Sequence, residues 1–155
     1  MTTSIEAALV TRLKGSTTLA ALVGTRIGPL QARQNWAMPY VVLYGERTTE
    51  REIATGRSVG IAQWTGSIEI HAEYGPESYE SVKNIANAVR NRIDGYRGTV
   101  SVTQGESIEA VEIRTCIMET QSDQPTPAVD GGEQGRAVQV LQFSVGFFES
   151  IPTPT

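Results

Sequence analysis

Residues 61–74, IAQWTGSIEIHAEY, alternate between apolar and polar side chains along almost their whole length. Trp64, Ile68, Ile70, Ala72 and Tyr74 fall on one side, and Gln63, Thr65, Ser67, Glu69, His71 and Glu73 on the other. That period of two predicts a half-buried β-strand with one face in a core and the other wet or shared with a neighbour. A chain built around such a strand needs more sheet beside it and another layer over its apolar side.

The rest of the chain supplies both. Thr3 and Glu6 have the spacing of a capping box, which predicts a helix starting there, with Ile5, Ala8, Leu9 and Leu13 on one stripe and Gly15 as its end. STTLAALVG predicts a second, short helix with Leu19, Leu22 and Val23 inward and Gly24 as a left-handed C-terminal residue. RIGPLQARQNWAMP suits extended or turn backbone, and the β-branched and aromatic run YVVLYGE predicts a central strand. Pro76 fits a helix's first turn, and Tyr79, Val82, Ile85, Ala86, Val89 and Ile93 continue as an apolar stripe, with Arg90 and Arg92 at the dipole's negative end. The DGYRG segment, through Gly95, Tyr96 and Gly98, then predicts a helix stop and tight turn into the strand TVSVT.

Two further strands follow. In 107–119, Val111, Ile113, Thr115 and Ile117 alternate against Glu112, Arg114, Cys116 and Met118; in RAVQVLQFSVGFF, Ala137, Leu141, Phe143, Val145 and Phe147 form a core face. Val138, Val140 and Phe148 make the opposite face apolar too, so this strand is expected at the sheet centre or an interface. Between the strands lie two polar stretches. Residues 47–60 carry five charged residues and two glycines and read as a long hairpin arm or mobile loop; residues 120–135 carry two prolines and three glycines and read as a flexible loop. The expected fold is α+β: an antiparallel-rich sheet with two main helices packed on one face, plus long polar loops. Residues 1–149 form one domain and 150–155 a flexible tail, consistent with a 155-residue chain able to bury roughly two-thirds of its unfolded surface.

The balance of charge narrows the function. A net charge of −4 lacks the basic excess of a surface that coats DNA. No run approaches the about 18 apolar residues of a membrane span, and the opening MTTSIEAALVTRLKG has no leader pattern, so a cytoplasmic start and no membrane partner are expected. Cys116, alone of its kind, reads as a buried small hydrophobe. DGGEQG lacks the Lys-Ser/Thr ending of a phosphate loop, and His71 and Cys116 come from separate strands without a surrounding motif, so no nucleotide cofactor and no catalytic residue is assigned. Glu69, His71 and Glu73 share a strand face and have the donor types of a divalent-metal site, but spacing alone is all that supports it; a solvated or subunit-facing surface is the preferred reading, and no metal is assigned. Arg90, Arg92, Arg97 and Tyr96 have the types of a nucleic-acid patch; against Lys83 and the three arginines stand Glu77, Glu80 and Asp94, and arginines at helix C-termini serve the dipole. A scaffold with long polar arms and a strand apolar on both faces is instead suited to assembly.

The segment WTGSIEIHAEYGPESYESVKNIANAVRNRIDGYRGTV resembles the small tail-completion and tail-terminator proteins of long-tailed bacteriophages. The resemblance extends in order over residues 4–149, through LAALVGTRIGPL, MPYVVLYGE and RAVQVLQFSVGFFE. It implies a structural virion protein and not an enzyme: a hexameric ring of identical subunits that caps the tail tube, stops its growth and meets the head connector. DNA would pass through the ring without sequence-specific recognition. The protein would reside at the head–tail interface, and in the host cytoplasm during assembly. The candidate subunit and tail-tube contacts are Arg47, Glu50, Arg51, Glu52, Arg57, Glu69, His71, Glu73, Asp123, Asp130, Glu133 and Arg136, with Gly95, Tyr96 and Gly98 as a structural turn. Three other classes fit the same features: a different head–tail connector or head-closure ring component, a small metal-dependent enzyme built on Glu69, His71 and Glu73, and, ranked below assembly, a stand-alone binding module that stays monomeric.

Overall fold

The computed structural model describes residues 4–29, 36–50, 59–73, 78–104, 106–124 and 136–150. Their order is α1 (Ile5–Lys14), α2 (Thr17–Val23), β1 (Ile27–Pro29), β2 (Tyr40–Glu50), β3 (Val59–Glu73), α3 (Ser78–Ile93), β4 (Gly98–Gln104), β5 (Ser107–Asp123) and β6 (Arg136–Ser150). The strands form one sheet in the order β1-β2-β3-β6-β5-β4. Every pairing is antiparallel except that of β1 with β2. The fold is therefore α+β, and β6 lies centrally, between β3 and β5.

The helices cover one face. From α1, Ile5, Ala8, Leu9 and Leu13 are buried, and from α3, Val82, Ile85, Ala86, Val89 and Ile93. They close on Val41 and Leu43 of β2, Trp64, Ile68 and Ile70 of β3, and Leu141, Phe143, Val145 and Phe147 of β6. Each large aliphatic or aromatic group buried here contributes about 1.5–3 kcal/mol relative to exposure.

Several details differ from the sequence-based expectation. Ser4, not Thr3, caps α1 by accepting the Ala7 N–H at 3.2 Å; Thr3 lies outside the described residues. Leu22 (38% exposed) and Tyr79 (63%) leave the core, because each sits at the margin of its helix's buried stripe. The segment after α2 contributes the short parallel strand β1, which places β2 one strand in from the edge and not at the centre. Residues 47–50 and 59–60 belong to the arms of a hairpin, one of the two readings given for 47–60, whereas residues 120–123 extend β5 into a stretch expected to be loop. β2 and β3 pair out to Glu50–Ile61, and β5 runs to Asp123. Residues 51–58 and 125–135 lie outside the described residues, as do Tyr74 and Pro76. β6 ends at Ser150, one residue into the expected tail, paired with Val59.

The largest correction is in β5. Register shifts fall between Ile113 and Thr115 and between Met118 and Thr120. Two residues opposing one at a bulge exchange the faces that follow. Ile113 is thus buried, Cys116 takes the next core position at 1% exposure, and Ile117 turns out to 56%. Strict alternation had put Ile117 inside and Cys116 on the opposite side, whereas the separate reading of Cys116 as a buried small hydrophobe agrees with its place here.

Candidate assembly surface

Among the described residues the helices leave the second face of the sheet uncovered, and the strand period decides which side chains stand on it. β2 presents Tyr40, Val42 and Tyr44; β3 presents Ser67, Glu69 and His71; β6 presents Val138, Val140 and Gln142. Antiparallel pairing sets Tyr40 opposite His71, Val42 opposite Glu69 and Tyr44 opposite Ser67. The ring of Tyr40 stacks on His71 with centroids 5.0 Å apart. His71 Nε2 lies 3.1 Å from Glu69 Oε1, and the Tyr44 hydroxyl donates to Glu69 Oε2 across 2.6 Å. That hydrogen bond, with burial and the carboxylate's charge behind it, raises the Tyr44 pKa above the ordinary 10.0. Val42, Val138 and Val140 are buried beside the network.

Further along this face the pattern is neutral and polar. Gln63 donates to Ser144 Oγ at 2.6 Å, and Thr120 to Gln142 Oε1 at 3.1 Å. A shallow groove of about 430 Å³ runs over Tyr44, Gly45, Glu46, Thr65, Gly66, Ser67 and Gln142. Tyr44, at the groove, is 41% exposed, and Ile108 and Ile117 of β5 are exposed at 71% and 56%. Arg114 reaches over the Phe148 ring at 5.0 Å. The surface offers hydroxyls, amides, exposed aliphatics and carboxylates, the chemistry of a wet protein–protein contact.

The candidate residues divide across the molecule. Glu69 and His71 come together, with Glu73 exposed farther along the same strand face and opposite Arg136 in the backbone register. Arg47 is exposed and reaches over the Phe147 ring at 5.8 Å, on the helix side of the hairpin. Glu50 ends β2. Arg51, Glu52, Arg57, Asp130 and Glu133 lie outside the described residues. Asp123 belongs to the other face: it pairs with Lys83 Nζ at 3.2 Å and accepts from Gln139 Nε2 at 2.8 Å. Gln139, fully buried, also donates to the Ser122 carbonyl and accepts from Gln121 Nε2 at 3.2 Å. Together these bonds lock the end of β5 to α3 and β6. Sequence reading missed Gln139, a polar residue in phase with the core positions of its strand. It also missed Tyr40 and Tyr44, whose alternate spacing was the available signal. Glu69 has both oxygens engaged by protein partners, and no group of three or more metal-ligating side chains occurs among the described residues.

The turn after α3 has its own structural task. β4 pairs with β5 only up to Ile113, which leaves the following edge of β5 open. Gly95, at φ 76°, donates its N–H to the Cys116 carbonyl at 2.7 Å, and Asp94 Oδ1 accepts the Met118 N–H at 3.0 Å. The turn thereby satisfies edge groups that would otherwise invite another strand. Gly98, at φ 158°, then begins β4. A side chain there would meet the Tyr96 hydroxyl at 2.7 Å.

Three comparisons bear on this architecture. Residues 7–127 match the family model described as tail completion protein gp17. No curated protein sequence matches the chain. Among solved structures, a chain in the virion of a native gene transfer agent particle is similar at a TM-score of 0.59 and 19% identity, over 92% of this chain and 95% of that one, a likeness of fold. Another solved chain overlaps at a TM-score of 0.43 and 16% identity, over 98% of this chain and all of that one, and carries no weight here.

Proposed function

The chain belongs to the tail completion protein gp17 family and is a structural protein of the phage-type virion, and from that premise we propose that it forms a homo-hexameric ring closing the tail tube. The ring halts tube growth and offers its other side to the head connector. The observation that carries this reading is the family match across residues 7–127, which runs from α1 to beyond the end of β5.

The geometry supports it in physical terms. One sheet face is closed by helices, while the other keeps exposed Tyr44, Ile108 and Ile117 among polar side chains. In a ring each subunit uses two different surfaces toward its neighbours, and a rotation that closes limits assembly to a fixed number. The β2–β3 hairpin and the segment between β5 and β6 are the proposed arms, reaching a neighbouring subunit or the tube protein. Glu50, Arg51, Glu52, Arg57, Asp130 and Glu133 would supply their charged contacts. DNA passes through the lumen without base recognition, and no catalytic step or cofactor enters the role.

The test is genetic. Particles from a phage lacking this chain are predicted to show tails of uncontrolled length or unjoined heads by electron microscopy. Normal joined particles would overturn the role. Restoring the gene with residues 51–58 or 125–135 removed is predicted to leave the defect, and full restoration by either deletion would remove that arm from the account.

A further inference from the structure

Arg12 and Arg92 meet where the ends of α1 and α3 converge on the DGYRG turn. Arg92 Nε donates to the Arg12 carbonyl at 2.8 Å. Its guanidinium lies against the bare Cα of Gly15, where a Cβ would stand 2.6 Å from Nη2. The Arg12 guanidinium carbon sits 3.8 Å from the centroid of the Tyr96 ring. Two like charges are therefore held side by side. Burial, and then the charge of Arg12, lower the Arg92 pKa, with Tyr96 opposing. Among the described residues no carboxylate pairs with either guanidinium. The Arg12 Nε is buried and has no acceptor among the described residues.

A tie between two helices would account for the Arg92 bond alone. It does not account for the second guanidinium, stacked on an aromatic ring with a buried donor left over. A buried donor without a partner is unfavourable, more so when charged, so the arrangement gains from an added acceptor. Charge indicates which kind. The C-terminal ends of α1 and α3 each present the equivalent of about half a negative charge, which offsets about one of the two cations. What remains suits a monoanion better than a phosphate dianion. Nucleic acid is further disfavoured because Arg12 occupies a face of Tyr96 and Arg90 is engaged by Asp94 at 3.3 Å.

We infer that Arg12 and Arg92, backed by Tyr96, form a docking point for a carboxylate side chain on an acidic segment of a partner protein. Guanidinium forks match carboxylates in bidentate geometry, and the aromatic ring holds one fork in orientation before the partner arrives. The site lies on the helix side of the molecule, apart from the Tyr44–Glu69–His71 face, and does not depend on the ring proposal.

The test follows the arginine Nε–H resonances of the full-length protein during titration with a hexaglutamate peptide, with inorganic phosphate and with chloride, at matched ionic strength. The expected result is a saturable shift of the Arg12 and Arg92 signals with the peptide, weaker with phosphate and absent with chloride, while Arg26 and Arg114 stay in place. Arg12→Gln is expected to weaken peptide binding about tenfold, the loss of one charge-assisted hydrogen bond or more. Arg12→Lys, which keeps the charge without the fork, is expected to weaken it at an unchanged melting temperature. No shift with the peptide, tighter binding of phosphate, or unaltered binding by Arg12→Gln would each overturn the inference. The wild-type titration decides the matter should a variant not fold.

Discussion

Gly45 of β2 and Gly66 of β3 stand directly opposite each other, and the indole of Trp64 lies across the pair. A Cβ on Gly45 would fall 2.5 Å from Trp64 Cε2 and 2.7 Å from the Gly66 Cα. One on Gly66 would run into Trp64 Cζ2 and the Tyr44 carbonyl oxygen. Trp64 is fully buried and backbone cannot retreat, so Gly66→Ala is predicted to destabilise by about 1–3 kcal/mol through overpacking. Gly95→Ala makes a contrast: its φ of 76° is costly but nothing lies within 4 Å, so the loss should stay near about 1–2 kcal/mol. Urea denaturation at one protein concentration checks both, and a neutral Gly66→Ala would contradict the packing described.

The Tyr44–Glu69 hydrogen bond predicts a delayed phenol titration. Tyr44 holds its proton more tightly when folded, so the bond's contribution to stability is complete below pH 10 and is lost as pH rises through the folded-state value. Absorbance of the phenolate should show one tyrosine ionising late, and Glu69→Gln should move it back toward 10. An unchanged titration curve in Glu69→Gln would remove the carboxylate as the cause.

Burial, and then the nearby Asp94 charge, push the Cys116 thiol up to about 12. The folded state therefore favours the neutral thiol: its stabilising effect is full below pH 9.0 and declines as pH rises from there toward 12. At pH 8 the native protein should react with a disulfide reagent far more slowly than the unfolded chain. Equal rates would show that the β5 bulge does not place Cys116 inside.

Much of this fold was legible because periodicity reports which face is buried. Trp64, Ile68, Ile70 and Ala72, and Leu141, Phe143, Val145 and Phe147, are buried as alternation predicted. The reading failed where a local pattern depended on distant partners. Cys116 and Ile117 exchanged places because a bulge answers to the strand alongside, which no window of sequence contains. The same holds for the exposed face. Glu69 and His71 were visible as neighbours on one strand, but Tyr44 joins them only through the β2–β3 register. Asp123 looked like part of a loop contact until Gln139 and Lys83, both distant in sequence, were brought against it. The turn at Gly95 was recognised from glycine spacing, whereas its role in covering the edge of β5 emerged from the Cys116 and Met118 bonds.

The ring proposal is tested most directly by native mass spectrometry of the purified protein across a concentration series, alone and with tail tubes added, with negative-stain images of the same samples. A closed assembly of six subunits, in either sample, is the predicted result. A chain that stays monomeric at every concentration and in the presence of tubes would contradict it.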